Sequence, residues 1–71
     1  MARHYVKDNA GKTQGWIDEI PTGRRCYDGS GRFIGWYDRR ASKTYHASGR
    51  LASTSGDVLM GLLGGPKELS N

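Results

Sequence analysis

Basic residues that could bind anions recur at one fixed place in this chain. Lys12, Arg32 and Arg50 each follow a glycine directly, at positions 11, 31 and 49. Lysine and arginine side chains bind phosphate groups through charge and hydrogen bonds. If the segments around them fold alike, the three cations lie in a ring or along one rim, and this pattern predicts an anion-binding surface.

Two dibasic pairs and several tyrosines extend this prediction. The pairs are Arg24-Arg25 and Arg39-Arg40, and Tyr37 joins the predicted site, with Tyr27 and Tyr45 as further candidates for stacking on bases. A rim of cations and aromatic rings is typical of nucleic-acid binding. The alternative interpretation is that these cations flank turns because solvent-facing strand ends favour charge.

The residues that could support catalysis or metal binding are few. Cys26, His4 and His46 have none of the spacings typical of a metal site, so we predict no metal and no cofactor. Cys26 with His46 as a base is a conceivable nucleophilic pair. However, Cys26 aligns with Val6 in the repeat described below, and a small buried apolar residue explains both.

Two further catalytic motifs also fail. Asp18 and Asp38 resemble a pair of catalytic carboxylates, but they recur at equivalent positions, whereas acid and base need differently tuned surroundings. The glycines and lysine of residues 61–67 lack the Gly-Lys-Ser/Thr core of a phosphate loop, and Pro66 removes an N–H donor. We therefore predict that the protein is not an enzyme.

An internal repeat must position these residues. Residues 5–18 align without gaps on residues 25–38, with the shared skeleton Asp-x-x-Gly-(Lys/Arg)-x-x-Gly-Trp-x-Asp, and residues 44–51 form a shorter third copy. Each copy has a short loop ending in a glycine, which is typical of a hairpin turn with a positive φ. Repeated units of this size bury their apolar faces against one another.

Alternation after each turn glycine predicts strands. It places Ile34 and Trp36 on one face and Phe33 and Tyr37 on the other. Trp16 and Trp36 then lie on equivalent faces, each preceded by a glycine that leaves room for a bend, a bulge or a neighbouring ring. The predicted core consists of Trp16, Trp36, Ile34, Phe33, Val58 and Leu59.

The fold class predicted from these patterns is all-β. Three to four short antiparallel β-hairpin repeats, about 5–20, 25–41 and 43–59, pack around a pseudo-symmetric core in a single domain 1–71. The apolar segment 57–63 fits either a buried strand or a short helix capped by Ser55 or Asp57. Residues 64–71 are predicted to be a flexible tail.

The segment Tyr27-Asp28-Gly29-Ser30-Gly31-Arg32-Phe33-Ile34-Gly35-Trp36 resembles the repeats of small bacterial and phage proteins of the four-fold beta-flower type. The resemblance extends over about residues 5–63. It implies β-hairpin petals around a pseudo-symmetric centre, and it implies no enzymatic activity. The third unit departs from the pattern, with Ser53-Thr54 where Gly-Trp is expected.

Composition sets the remaining expectations. The formal net charge is +4 and the pI is about 9.6, which favours acidic partners. The single cysteine and the lack of an apolar leader predict a cytoplasmic protein, and the lack of a long apolar stretch predicts no membrane association. A thin core without disulfides predicts a homo-oligomer.

The predicted function is therefore a small non-catalytic binding module for an acidic partner, with nucleic acid favoured. The alternative is a protein-interaction or inhibitor module, encoded by a phage or plasmid and homo-oligomeric. Its contact surface would be the apolar segment, with Val58, Leu59, Leu62 and Leu63 as the interacting residues.

Overall fold

The chain folds almost entirely into antiparallel β-structure, which confirms the predicted all-β class. The computed structural model describes the backbone of residues 2–64 and 67–70, and the side chains of the first range. The elements are β1 (Arg3–Asp8), β2 (Thr13–Ile20), β3 (Gly23–Asp28), β4 (Phe33–Asp38), β5 (Lys43–His46), β6 (Leu51–Ser53), α1 (Leu59–Leu62) and β7 (Lys67–Ser70).

The described strands form one seven-stranded sheet in the order β6-β5-β4-β3-β2-β1-β7. Each strand from β1 to β5 pairs with the next one in sequence, and β7 returns to pair with β1. The three sequence units thus occupy β1–β2, β3–β4 and β5–β6, side by side along the sheet. The pseudo-symmetric centre remains a prediction.

The loops of these three hairpins have the same geometry. The N–H groups of Asp8, Asp28 and His46 donate to the carbonyl oxygens four residues later, at 2.9, 2.9 and 2.7 Å. The glycines at positions 11, 31 and 49 have φ angles of 82°, 90° and 91°, as the sequence predicted. The basic residue after each glycine therefore begins the returning chain at an equivalent point.

A one-residue bulge follows each of these turns. The extra residues are Gln14, Ile34 and Ala52, each located three residues after the turn glycine. A bulge reverses the alternation of side chains. As a result, Ile34 packs toward the core, and Phe33 joins Trp36 on the opposite face. The faces predicted from simple alternation were therefore wrong for these two residues.

The core lies on one face of the sheet, beneath α1. Val6, Ile17, Cys26 and Leu59 are fully buried there, and the Cys26 thiol donates a weak hydrogen bond to the Leu59 carbonyl at 3.9 Å. We call this side the helix-side face. The residues packed around this cluster are Ile34, Tyr37, Met60, Leu62 and Leu63.

Only part of the predicted core is correct. Leu59 and Ile34 belong to the core, whereas Trp16, Trp36 and Phe33 stack with other rings on the other face of the sheet. Val58 is 40% exposed. The core side chains of β1, β2 and β3 are instead aliphatic or a thiol, because the helix-side face must accommodate α1.

The ambiguous segment 57–63 contains a single helical turn, α1. The Leu59 N–H donates to the Asp57 carboxylate at 2.9 Å, which satisfies one of the N–H groups at the start of the helix. Buried Thr44 fixes the approach to this turn, since its hydroxyl donates to the Gly56 carbonyl at 2.7 Å and accepts from the Val58 N–H at 3.2 Å.

The end of the described chain differs from the predicted flexible tail. The backbone of Lys67–Ser70 forms β7, which pairs antiparallel with β1, for example at Val6 and Leu69. Residues 65, 66 and 71, also part of that prediction, lie outside the described residues. Within the described part of the chain, no helix has the length and apolar character needed to cross a membrane.

Candidate nucleic-acid interface

The face of the sheet opposite α1 carries a continuous row of aromatic side chains. They follow the cross-strand register, in which residues that face each other on neighbouring strands place their side chains on the same side. We call this surface the aromatic face. Its residues are Tyr5, Trp16, Tyr27, Phe33, Trp36 and Tyr45.

The rings contact one another along the row. Successive ring centroids lie between 4.9 and 6.3 Å apart. Trp16 stacks on Tyr27 with an interplanar angle of 23°, and Trp36 stacks on Tyr45 with an angle of 17°. Such pairs hold the side chains in fixed orientations, so the surface is organised before any partner binds.

No described element covers this face, and its rings remain partly accessible. Tyr5 is 41% exposed, and the other five rings are half-buried, mainly against their neighbours. Large apolar side chains scattered over a surface are normal, but a contiguous patch of them marks an interaction site. The aromatic face is therefore the strongest candidate for a functional site.

An ion pair borders the row at β1 and β2. Arg3 donates from Nε to Asp18 Oδ1 at 2.7 Å and from its terminal nitrogen to Oδ2 at 3.1 Å. The same guanidinium lies 4.9 Å from the centroid of the Trp16 ring, a cation–π contact. The hydrogen bond to Asp18 raises the pKa of Arg3 still further above its usual value, so Arg3 stays charged.

Arg25 is an exposed cation of this surface that is not engaged by an acidic partner among the described side chains. In the strand register it lies opposite Asp18 on one side and Trp36 on the other, and it forms no ion pair or side-chain hydrogen bond within the described residues. It lines two adjoining cavities of about 320 and 260 Å³, and Tyr27 lines both of them. Arg25 is thus available to a ligand that contacts the rings.

The predicted basic rim is divided between opposite ends of the sheet. Lys12, Arg32 and Arg50 lie at one end, because the β1–β2, β3–β4 and β5–β6 loops share that end of a meander. Arg24-Arg25 and Arg39-Arg40 lie at the other end, beside the β2–β3 and β4–β5 loops. The structure therefore brings the three loop cations to one edge and separates them from the dibasic pairs.

The dibasic residues also differ in orientation. Arg24 points to the helix-side face and pairs with Glu19 at 2.8 Å and Asp57 at 3.0 Å. Arg39 also pairs with Glu19, at 3.2 Å. Arg40 lines a cavity of about 270 Å³ with Trp36. Of the four, Arg25 and Arg40 therefore lie beside rings of the aromatic face.

The remaining predicted site residues are Tyr37 and the apolar residues of segment 57–63. Tyr37 packs against the core on the helix-side face, so it is not part of the row of rings. Of the four residues predicted to contact a protein partner, Leu59 is fully buried, Leu62 and Leu63 are partly buried against the core, and Val58 is exposed.

The Cys26 thiol lies buried in the core. Burial raises the pKa of the Cys26 thiol to about 11, which keeps it protonated and unreactive at neutral pH. Among residues 2–64, no three His, Cys, Asp or Glu side chains are grouped as a metal site would require. Among the buried side-chain nitrogen and oxygen atoms of the same residues, Trp16 Nε1 has no hydrogen-bond partner.

The sequence contains a signal for the aromatic face that simple alternation does not reveal. Tyr5, Tyr27 and Tyr45 each lie on the first strand of a hairpin, opposite a tryptophan on a neighbouring strand. Tyr27 and Tyr45 lie four residues before their turn glycines, and Tyr5 lies six residues before Gly11. Without the bulge, Phe33 and Trp36 fall on different faces and the row is concealed.

Fold and site together define an all-β sheet with one face covered by a helical turn and the other lined with aromatic rings and arginines. In comparisons with protein-family models, curated proteins and solved structures, no match is found. The resemblance to four-fold beta-flower proteins therefore remains a prediction, and the geometry of the site is the basis for assigning a function.

Proposed function

We propose that this protein is a non-catalytic module that binds single-stranded nucleic acid on its aromatic face. The observation that carries the proposal is the row of six partly exposed rings, ordered by mutual stacking. Unpaired bases stack on such rings, and each base contributes ~1–3 kcal/mol to binding. A duplex hides the faces of its bases, so single strands are the preferred ligand.

Charge supports the same proposal. The chain carries a net charge of +4, and Arg25 and Arg40 line cavities beside the aromatic rings. The exposed guanidinium of Arg25 can contact a nucleotide without breaking an internal ion pair. Bases on the rings and phosphates on flanking arginines are the two components of single-strand recognition.

The first test is fluorescence anisotropy with labelled single- and double-stranded oligonucleotides at about 50 and 200 mM salt. We expect single strands to bind more tightly than duplex, with an affinity that falls steeply as salt rises. Quenching of the fluorescence of Trp16 and Trp36 should accompany binding, because both indoles belong to the row. Failure of single strands to bind at low salt would refute the proposal.

A pair of adjacent arginines provides a matched variant and control. Arg25→Gln removes a cation from the aromatic face and should weaken binding several-fold, with little effect on thermal stability. Arg24→Gln makes the same change of charge on the helix-side face, where it breaks the ion pairs with Glu19 and Asp57. It should lower stability by up to ~1 kcal/mol and leave affinity nearly unchanged.

A second candidate is a surface for protein contact, including contact with another copy of this chain. One observation favours it: Leu51 is 46% exposed and pairs with Tyr45 in register, so it extends the apolar surface onto β6, an edge strand. An apolar contact would show weak salt dependence, and Leu51→Lys would lower the mass measured by sedimentation. A monomer whose oligonucleotide binding depends on salt would argue against this candidate.

A further inference from the structure

One cavity on the aromatic face combines groups that read the edges of a base. It has a volume of about 320 Å³ and is lined by Ala2, Arg3, Asp18, Ile20, Arg25 and Tyr27. Because Asp18 and Arg25 are cross-strand partners, a carboxylate and a guanidinium lie side by side next to the Tyr27 ring. A ligand here meets an acceptor, a donor and a stacking surface together.

Asp18 is held in place and can still accept hydrogen bonds. Arg3 binds each carboxylate oxygen once, at 2.7 and 3.1 Å, and a carboxylate has about four lone-pair sites. The Asp18 side chain is 22% exposed. Arg3 occupies the side of the carboxylate on which two parallel N–H groups can reach both oxygens. An outward lone pair of one oxygen therefore remains to accept a single N–H group of a ligand without loss of Arg3.

We propose that this cavity is a subsite selective for guanine, an inference that rests on the proposed binding of single-stranded nucleic acid. Guanine presents N1–H and N2–H as adjacent donors, so its N2–H can donate to the free lone pair of Asp18 with a second donor, rather than an acceptor, beside it. Its O6 and N7 atoms are acceptors that match an arginine fork, the most common specific contact to this base. Arg25 supplies that fork, and the Tyr27 ring supplies the stacking surface.

The other bases match the cavity less well. Adenine and cytosine each offer one exocyclic amine and place a ring-nitrogen acceptor beside it, which would face the Asp18 carboxylate. Thymine and uracil flank their single N–H with two carbonyl groups, which the carboxylate repels. A site that loses paired hydrogen bonds discriminates more strongly than an apolar pocket does.

The test compares oligonucleotides that differ at a single base. An oligothymidylate of about eight nucleotides falls within the site sizes of single-strand binding domains. Replacing one central thymine with guanine should raise affinity about tenfold, the discrimination expected of a bidentate contact. Adenine and cytosine at the same position should give less than half of that gain in free energy.

Base analogues and variants separate the two contacts. Inosine lacks the N2 amine, so it should lose the part of the gain due to Asp18. The analogue 7-deazaguanine lacks N7, so it should lose the part due to Arg25. Asp18→Asn should abolish the difference between guanine and inosine, and Arg25→Gln should abolish the difference between guanine and 7-deazaguanine.

The controls distinguish failure of this inference from failure of the proposed function. Thermal melting shows whether each variant is folded, and guanine and its analogues are compared within the same variant, so a general change in affinity does not affect the comparison. If the wild-type protein binds the thymine-only and guanine-containing strands equally, the guanine subsite is refuted and single-strand binding stands. If neither strand binds at low salt, both proposals are refuted.

Discussion

At the scale of single residues, the glycine before each tryptophan is required by the neighbouring strand. A side chain at Gly15 would collide with the backbone carbonyl of Tyr27, and one at Gly35 would collide with that of Tyr45. At Gly35 it would also come within 3.0 Å of the Leu62 side chain. These glycines therefore allow close pairing of strands beside each bulge and close approach of α1.

The first prediction concerns this close packing. Gly35→Ala should destabilise the protein by ~1–3 kcal/mol or more, because an added Cβ must displace backbone in a packed sheet. The melting temperature should fall by ~4–8 °C per kcal/mol in a domain of this size. Gly61→Ala is the matched control, since no atom lies near its added methyl group. A harmless Gly35→Ala would contradict the tight pairing of β4 with β5.

Asp28 gives a second prediction, about pH. Hydrogen bonds from the Ser30 hydroxyl and from the N–H groups of Arg32 and Ser30 lower the pKa of Asp28 below its ordinary value. A lowered folded-state pKa means that the stabilisation is complete above the unfolded value of ~3.9 and is lost as pH falls through the folded value.

Melting curves between neutral pH and about pH 3 test this prediction, since the change lies below the unfolded pKa of ~3.9. The wild-type melting temperature should fall in the acid range, and Asp28→Asn should reduce that fall. Ser30→Ala keeps the carboxylate but removes its strongest hydrogen bond, so the acid transition should begin at a higher pH. An acid transition that neither variant alters would exclude Asp28 as its origin.

At the scale of elements, the sequence predicted the turns better than the faces. The positive φ of the turn glycines and the acceptor function of Asp8 and Asp28 follow from local chemistry, and both are present. The bulges reverse which side chains face the core. They cannot be recognised in the sequence when every second side chain is assumed to lie on the same face of the sheet. Simple alternation therefore predicts the wrong face for Phe33 and conceals the row of rings that forms the candidate site.

The nature of segment 57–63 also depended on tertiary contacts. Its length fitted a strand or a helix, and Gly61 weakened the case for a helix. The hydrogen bonds of Thr44 to Gly56 and Val58 determine how the chain enters α1, and Thr44 is distant in sequence. Such an anchor cannot be identified from the segment alone.

The third prediction concerns α1 as the cover of the core. Leu59→Ala should destabilise the protein by ~2–5 kcal/mol, because Leu59 is fully buried against Val6, Ile17 and Cys26. Val58→Ala, one residue earlier and 40% exposed, should have a much smaller effect. Chemical denaturation measures both. Exposure of the Cys26 thiol to Ellman's reagent should increase in the Leu59 variant only.

A contrary result would favour a contact between chains at this segment. If Leu59→Ala left stability unchanged but altered the oligomeric mass, the apolar residues would form an intermolecular surface, as their pattern in the sequence suggests. The packing around Leu59 predicts instead that Leu59→Ala lowers the free energy of unfolding before any change in oligomeric mass is seen.

At the scale of the whole molecule, the two ends of the sheet differ in whether acidic side chains pair with their basic residues. The end with Arg24 and Arg39 also carries Glu19 and Asp57, which pair with them. The loop end carries Lys12, Arg32 and Arg50, none of which forms an ion pair within the described residues. The loop cations can therefore attract phosphates along a strand that crosses the aromatic face.

The last prediction follows from that distribution. The triple variant Lys12→Gln, Arg32→Gln, Arg50→Gln should weaken single-strand binding and flatten its salt dependence by ~0.7 in log–log slope for each phosphate that the protein no longer neutralises. The preference for guanine should persist, because Asp18 and Arg25 lie toward the other end of the sheet. The double variant Arg24→Gln, Arg39→Gln removes only cations that acidic partners already neutralise, so its slope should match the wild type. An unchanged slope in the triple variant would mean that the phosphates contact only arginines of the aromatic face. The loop cations would then be solvent-exposed charges at turns that do not contact the ligand.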